Sequence, residues 1–386
     1  MFAFFLTSGI FLGWSLGAND ASNVFGTAVA SRMIRFRTAA ICCSIFVIIG
    51  AVISGAGASH TLGKLGAVNA VAGAFITAFS AALSVYLMTK AGFPVSTSQA
   101  IVGAIVGWNL FSGFPVETGA LVKITMTWLI CPILSGVIGI VLYRISARVI
   151  TSFRVHMFTL DRYTRWSLLV AGIFGSYSLG ANNIANVMGV FLPVAPFGPV
   201  TVAGITLSPA QLLFLIGGLA IALGVMTYSK RVMMTVGAGI VELSPVAACV
   251  VVWAHSIVLF LFSSQALEAF LRSHGLPTIP LVPVSSSQAV VGAVMGIGLL
   301  KNGIRSIKWK MVGGIAAGWV TTPVIAALVC FISLFFFQNV FQQTVYLPRK
   351  AEARVEQARP AGEINLLSQI PVSPSGEARY TLTHTK

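Results

Sequence analysis

Ser15-Leu-Gly-Ala-Asn-Asp-Ala-Ser-Asn-Val-Phe-Gly26 recurs as Ser178-Leu-Gly-Ala-Asn-Asn-Ile-Ala-Asn-Val-Met-Gly189, with eight identities in twelve positions. Pro94-Val-Ser-Thr-Ser-Gln-Ala-Ile-Val-Gly-Ala-Ile-Val-Gly107 recurs as Pro283-Val-Ser-Ser-Ser-Gln-Ala-Val-Val-Gly-Ala-Val-Met-Gly296, with ten in fourteen. A third echo sets Trp128-x₃-Pro132 against Trp319-x₃-Pro323. The order is the same in both copies, and the offset grows from 163 residues in the first motif to 189 in the second. The chain is therefore two copies of one unit, the second lengthened between its motifs.

Each motif is embedded in apolar sequence. Hydrophobic residues make up 56% of the 386 and charged residues 9%, against about 25% charged in soluble domains. Mean hydropathy is +0.91. Apolar blocks on the order of 20 residues, the length that spans a bilayer, lie near 1–30, 38–57, 66–88, 94–112, 119–143, 166–192, 205–227, 232–263, 283–300 and 311–337. The block at Met1 has no basic region before it and reads as a retained span rather than a signal peptide. This pattern predicts an all-α, polytopic membrane protein of about 10–12 segments. The formal net charge of +15 is too sparse and too deeply set in apolar sequence for a nucleic-acid surface. Cys42, Cys43, Cys131, Cys249 and Cys330 lie in apolar runs without metal-ligand spacing and read as small hydrophobes.

Basic residues fall in four groups: Arg32, Arg35 and Arg37; Arg144, Arg148, Arg154, Arg162 and Arg165; Lys230 and Arg231; and Lys301, Arg305, Lys308 and Lys310. The positive-inside rule places all four in the cytoplasm and the N-terminus outside. The first block then runs inward, and its repeat mate near 166–192 runs outward. Residues 1–143 form one transmembrane repeat, 144–165 a basic cytoplasmic connection, 166–337 a second and inverted repeat, and 338–386 a polar, disordered tail. Inverted repeats whose broken helices meet near the bilayer midplane are the design of secondary transporters.

The chemistry lies in the repeated motifs. Polar groups at membrane depth are tolerated only inside the protein or beside water. Gly17 and Gly180 offer points where a helix could unwind. Asp20 is the one acid deep in an apolar block, and its charge requires a cation, a proton or a hydrogen-bonded partner. Asn19, Ser22, Asn23, Asn182, Asn183 and Asn186 add groups that donate and accept. The plainer alternative for this motif is helix packing through small residues and amide hydrogen bonds. In the second motif Pro precedes three hydroxyls at a helix start, Ser96, Thr97 and Ser98 in one copy and Ser285, Ser286 and Ser287 in the other. Free N–H groups and hydroxyls there form a ready anion site. Here the plainer alternatives are a capping box, Ser96 with Gln99 and Ser285 with Gln288, and close packing at Gly103/Gly107 and Gly292/Gly296. Glu242 reads as interfacial, His60, His156 and His274 as loop residues, and His255 as a core histidine.

These paired segments resemble the signature repeats of the inorganic phosphate transporter (PiT) family over roughly residues 1–337. The resemblance implies a secondary carrier that moves inorganic phosphate across the plasma or inner membrane with Na⁺ or H⁺, and neither an enzyme nor a cofactor protein. It assigns Ser96, Thr97, Ser98, Gln99, Ser285, Ser286, Ser287, Gln288, Asn23 and Asn186 to the substrate. Asp20, Asn19, Asn182 and Asn183 go to the coupling ion, with Asp20 and Asn183 as the ligands if that ion is Na⁺. The partners expected are phosphate or sulfate, the lipid bilayer and, as an option, further copies of the chain. Two features depart from the family pattern: Asn183 stands where the second copy carries Asp, and Gln99 and Gln288 stand where His is frequent. Asn182-Asn183-x-x-Asn186 and Lys301-Asn302-Gly303 resemble instead a sulfate-permease branch of the same superfamily. Phosphate carries a proton near neutral pH and needs an acceptor from its site, whereas sulfate needs donors alone. A channel or a non-transporting receptor is the expectation from other classes.

Overall fold

The computed structural model describes residues 1–66, 68–90, 95–153, 156–202, 204–236 and 243–348. Pro94, Arg154, Glu242 and the tail from 349 onward lie outside the described residues. The first half holds α1 (Phe2–Ala30), α2 (Phe36–Ser54), α3 (Ala56–Leu65), α4 (Val71–Lys90), α5 (Thr97–Ser112) and α6 (Thr118–Ser152). The second holds α7 (Met157–Met188), α8 (Pro209–Thr227), α9 (Ser229–Val236), α10 (Pro245–Leu261), α11 (Gln265–Ser273), α12 (Ser286–Asn302) and α13 (Trp309–Asn339). A short hairpin pairs Val200–Val202 with Ile205–Leu207 between α7 and α8.

All ten apolar blocks contain a helix. Among the described residues seven helices are long and apolar enough to cross a membrane, and α10 with α11 forms a further pair bent by 66°. Blocks 94–112 and 283–300 are different. Their helices α5 and α12 have 16 and 17 residues, about 24–26 Å at 1.5 Å per residue. Each begins inside the protein, after an extended and buried serine, Ser96 or Ser285. Non-helical backbone at this depth is permitted because protein covers it. The outward side is equally clear. On α2, Ile41, Ile45, Ile49 and Ile53 recur every fourth residue and are exposed, as are Leu129, Ile133, Val137 and Val141 on α6. At 3.6 residues per turn these are single apolar stripes facing outward.

The two halves interlock by a pseudo-twofold relation. Helix α1 packs on α8 as α7 packs on α2, and α5 packs on α13 as α12 packs on α6. Glycines set these contacts. A Cβ at Gly17 collides with the Ile221 carbonyl of α8, and one at Gly180 with the Val47 carbonyl of α2. Gly103 and Gly292 likewise lie against the carbonyls of Pro323 and Pro132, so the Trp-x₃-Pro echo marks where α13 and α6 receive the short helices. These contacts correct one expectation: α1 and α7 do not unwind at Gly17 and Gly180 but run unbroken through them. The glycines let a neighbouring backbone approach, and the break in regular structure falls at the start of α5 and α12 instead.

Two connections have structure that their composition does not announce. Most of 144–165 is helical, formed by the last turns of α6 and the first of α7; its arginines are compatible with helix and need only water around them. The first part of the polar tail, 340–348, is not free chain. Trp108 Nε1 donates to Val345 O at 3.0 Å, and the Asn69 side chain donates to Leu347 O and accepts from Leu347 N at 3.0 and 2.9 Å.

Candidate functional site

The i, i+3/i+4 spacing of Asn19, Ser22 and Asn23 puts them on one face of α1, and that of Asn182 and Asn186 does the same on α7. Both faces turn inward: every residue of the two first motifs assigned to substrate or ion is at most 9% exposed. Asn19 and Asn182 clasp the extended segment leading into the short helix of their own half. Asn19 Nδ2 donates to Val95 O at 3.3 Å. Asn182 Nδ2 donates to Val282 O at 3.3 Å, and its Oδ1 accepts from Val284 N at 3.0 Å.

One turn further on, the contacts cross between halves. Asn186 Nδ2 donates to Ser98 Oγ at 2.8 Å, and Ser98 Oγ donates to Val284 O at 3.0 Å. Asn23 Nδ2 donates to Ser286 Oγ at 3.0 Å. Asn183 Oδ1 accepts from Asn186 Nδ2 at 2.8 Å and faces Ser98 Oγ at 3.4 Å. The first motifs of α1 and α7 and the starts of α5 and α12 therefore form one connected polar cluster.

The capping alternative accounts for part of this cluster. Ser96 Oγ accepts from Gln99 N, and Ser285 Oγ from Gln288 N, both at 3.3 Å. The chain also contains a complete capping box for comparison: at α8 the Gln211 side chain returns to the Ser208 backbone N–H at 2.9 Å. Neither Gln99 nor Gln288 makes that return, and the Oε1 of each is buried with no hydrogen-bond partner. Thr97 Oγ1, Asn183 Nδ2, Asn186 Oδ1 and His255 Nδ1 are in the same condition. Buried polar atoms are rarely left unpaired, at about 1–3 kcal/mol each. Six such atoms, donors and acceptors mixed, belong to this one cluster.

Charge is nearly absent. Asp20 is 2% exposed, and among the described residues its side chain accepts one hydrogen bond, from Asn19 Nδ2 at 2.7 Å to Oδ1. Among the described residues the two ion pairs are Arg165–Asp161 and Arg272–Glu268, both on exposed helix turns. No basic side chain neutralises Asp20, and no group of three His, Cys, Asp or Glu residues is gathered to hold a metal among the described residues. Asp20 and Asn183, paired in the sequence reading as ion ligands, share no hydrogen bond among the described residues; each is engaged by an asparagine of its own helix.

Sequence reading missed His255 as a member of the cluster. Its Nε2 lies 2.9 Å from Ser286 Oγ, and the residue is fully buried. Helix α10 is held in rotation against α7 by Ser256 Oγ to Ala171 O at 3.2 Å and Trp253 Nε1 to Ser167 Oγ at 3.0 Å. That rotation presents the histidine to α12. The other histidines with described side chains, His156 and His274, are exposed.

Fold and site define a class: a multi-pass helical membrane transporter whose two interlocked repeats bring duplicated polar motifs to a shared centre. A model of the phosphate transporter family matches residues 16–330 and 276–355. The chain belongs to that family, and it is a transporter rather than an enzyme. The protein named "Putative phosphate permease MJ0630" from Methanocaldococcus jannaschii is 29% identical over 323 residues, 83% of this chain and 93% of its own. "Sulfate permease CysP" from Bacillus subtilis is 25% identical over 350 residues, 88% of each. Among solved structures, one described as the sodium-dependent phosphate transporter shares the fold, with a TM-score of 0.65 and 22% identity across 86% of this chain and 99% of that one.

Proposed function

We propose that this protein is a secondary carrier that moves inorganic phosphate across the plasma or inner membrane together with Na⁺ or H⁺. The observation that carries the reading is the convergence of two hydroxyl-rich helix starts on one buried cluster whose only carboxylate, Asp20, has no basic partner among the described residues. A buried carboxylate without a counter-charge is costly, so the charge of Asp20 favours entry of a cation or a proton. Helix N-termini and hydroxyls favour an anion. Each ligand lowers the cost of holding the other, which is what coupling requires.

In this reading Ser96, Thr97, Ser98, Gln99 and their mates Ser285, Ser286, Ser287 and Gln288, with Asn23 and Asn186, hold the anion. Asp20, Asn19, Asn182 and Asn183 serve the cation. The unpaired acceptors Gln99 Oε1, Gln288 Oε1 and Asn186 Oδ1 support phosphate, which carries a proton to donate near neutral pH. Sulfate is the second reading, favoured by the match to the sulfate permease and by Asn183 in place of an acid. Uptake of labelled phosphate into proteoliposomes, competed with sulfate, separates them. The expected result is saturable uptake that depends on an imposed Na⁺ or proton gradient and is lost in Asp20→Asn. Saturable sulfate uptake without competition from phosphate overturns the assignment.

A further inference from the structure

Ser286 Oγ has a single proton and two lone pairs. One lone pair is already committed, because the Asn23 Nδ2 that approaches it at 3.0 Å can only donate. What remains is decided by His255, whose Nε2 lies 2.9 Å away. If Nε2 is the bare nitrogen of the ring, it takes the serine proton, and Ser286 has nothing left to give. If Nε2 carries the proton, it fills the second lone pair of Ser286, and the hydroxyl hydrogen is free to point at a ligand. The tautomer of His255 thus switches Ser286 between a saturated group and an available donor.

The repeat supplies an internal reference. Thr97 occupies the position of Ser286 in the first copy, and its buried hydroxyl has no hydrogen-bond partner. It is free to donate without assistance. Resting on the reading of the cluster as an oxyanion site, we propose that His255 is a further residue of that site: it holds the Nε2–H form when the anion is bound, donates to Ser286, and so aims the Ser286 hydroxyl at the anion as the match of Thr97. The buried Nδ1, which has no hydrogen-bond partner, is then the bare nitrogen of the ring.

Three substitutions separate this role from packing. Glutamine places an amide nitrogen where Nε2 stands and can still donate to Ser286; asparagine reaches only the Nδ1 position. In proteoliposome uptake, His255→Ala is expected to raise the phosphate half-saturation concentration about tenfold, the equivalent of one hydrogen bond to a charged ligand. His255→Asn should do the same, and His255→Gln should stay within about threefold of the parent. The maximal rate should change less than the half-saturation in all three. Nitrogen-15 NMR of the parent protein reads the tautomer directly. The chain has five histidines, and the His255→Gln spectrum identifies the signal. With saturating phosphate the expected form is Nε2–H. The Nδ1–H form under those conditions overturns the proposal, as does an unchanged half-saturation in His255→Ala or equal effects of the glutamine and asparagine variants. If the alanine variant fails to fold, the glutamine–asparagine comparison and the parent spectrum still decide. Uptake by the parent protein tests the transport reading on its own: a parent that moves no phosphate refutes that reading, while a parent that moves it with the wrong tautomer refutes only the role of His255.

Discussion

Asn182 commits both ends of its amide to one stretch of backbone, Nδ2 to Val282 O and Oδ1 to Val284 N. That stretch cannot form a helix or a sheet, because it must deliver Ser285 to the start of α12, so the side chain replaces the missing secondary structure. Asn182→Ala leaves a buried carbonyl and a buried N–H unpaired, at about 1–3 kcal/mol each. The expected outcome is a lowered unfolding midpoint in detergent together with weaker phosphate binding; an unchanged midpoint contradicts the clasp. The importance of these asparagines was legible in the sequence, since an amide in a lipid-spanning stretch must find a partner inside the protein and the motif occurs twice. His255 was not legible. It has no histidine mate in the first repeat, and its partner Ser286 follows 31 residues later, beyond α11, so no local spacing joins them.

At the level of elements, glycine and proline positions carry the architecture. Gly17 and Gly26 belong to the same motif but face different surroundings. A Cβ at Gly17 runs into the Ile221 carbonyl, whereas one at Gly26 meets nothing closer than Met233 O at 3.6 Å. Gly17→Ala and, by the repeat, Gly180→Ala are expected to cost about 1–3 kcal/mol or more through overpacking of helix backbones. Gly26→Ala should be tolerated or mildly stabilising, since alanine is the better helix former by about 1 kcal/mol. Thermal unfolding of the three variants checks this, and equal loss in all three refutes the packing argument. The apolar blocks at 94–112 and 283–300 did not by themselves show where their helices start; the Pro-and-hydroxyl motif did, and α5 and α12 begin directly after Ser96 and Ser285. Hydropathy averages over a window and does not register where backbone hydrogen bonding begins. It also gave no sign that 340–348 would be held by Trp108 and Asn69, because those contacts join residues more than two hundred positions apart.

Across the whole molecule, the helices most closely joined belong to opposite halves: α1 with α8, α2 with α7, α5 with α13 and α6 with α12. A chain cut between α6 and α7 therefore yields two pieces with their packing faces uncovered. Each piece produced alone is expected to be unstable and degraded, and the two produced together are expected to reassemble and restore uptake; a stable first half on its own contradicts the interlock. The same arrangement bears on how the protein is made. Synthesis proceeds from the N-terminus, so α1 enters the membrane carrying Asp20, Asn19 and Asn23 before α8, the helix that closes over Gly17, has been translated. During that interval this polar stretch of α1 must be sheltered by water at the insertion machinery, by a protonated Asp20 or by a temporary neighbour. Duplicating one unit and dividing its contacts between copies makes a symmetric transporter, and it also makes the first copy wait for the second before it can reach its final depth.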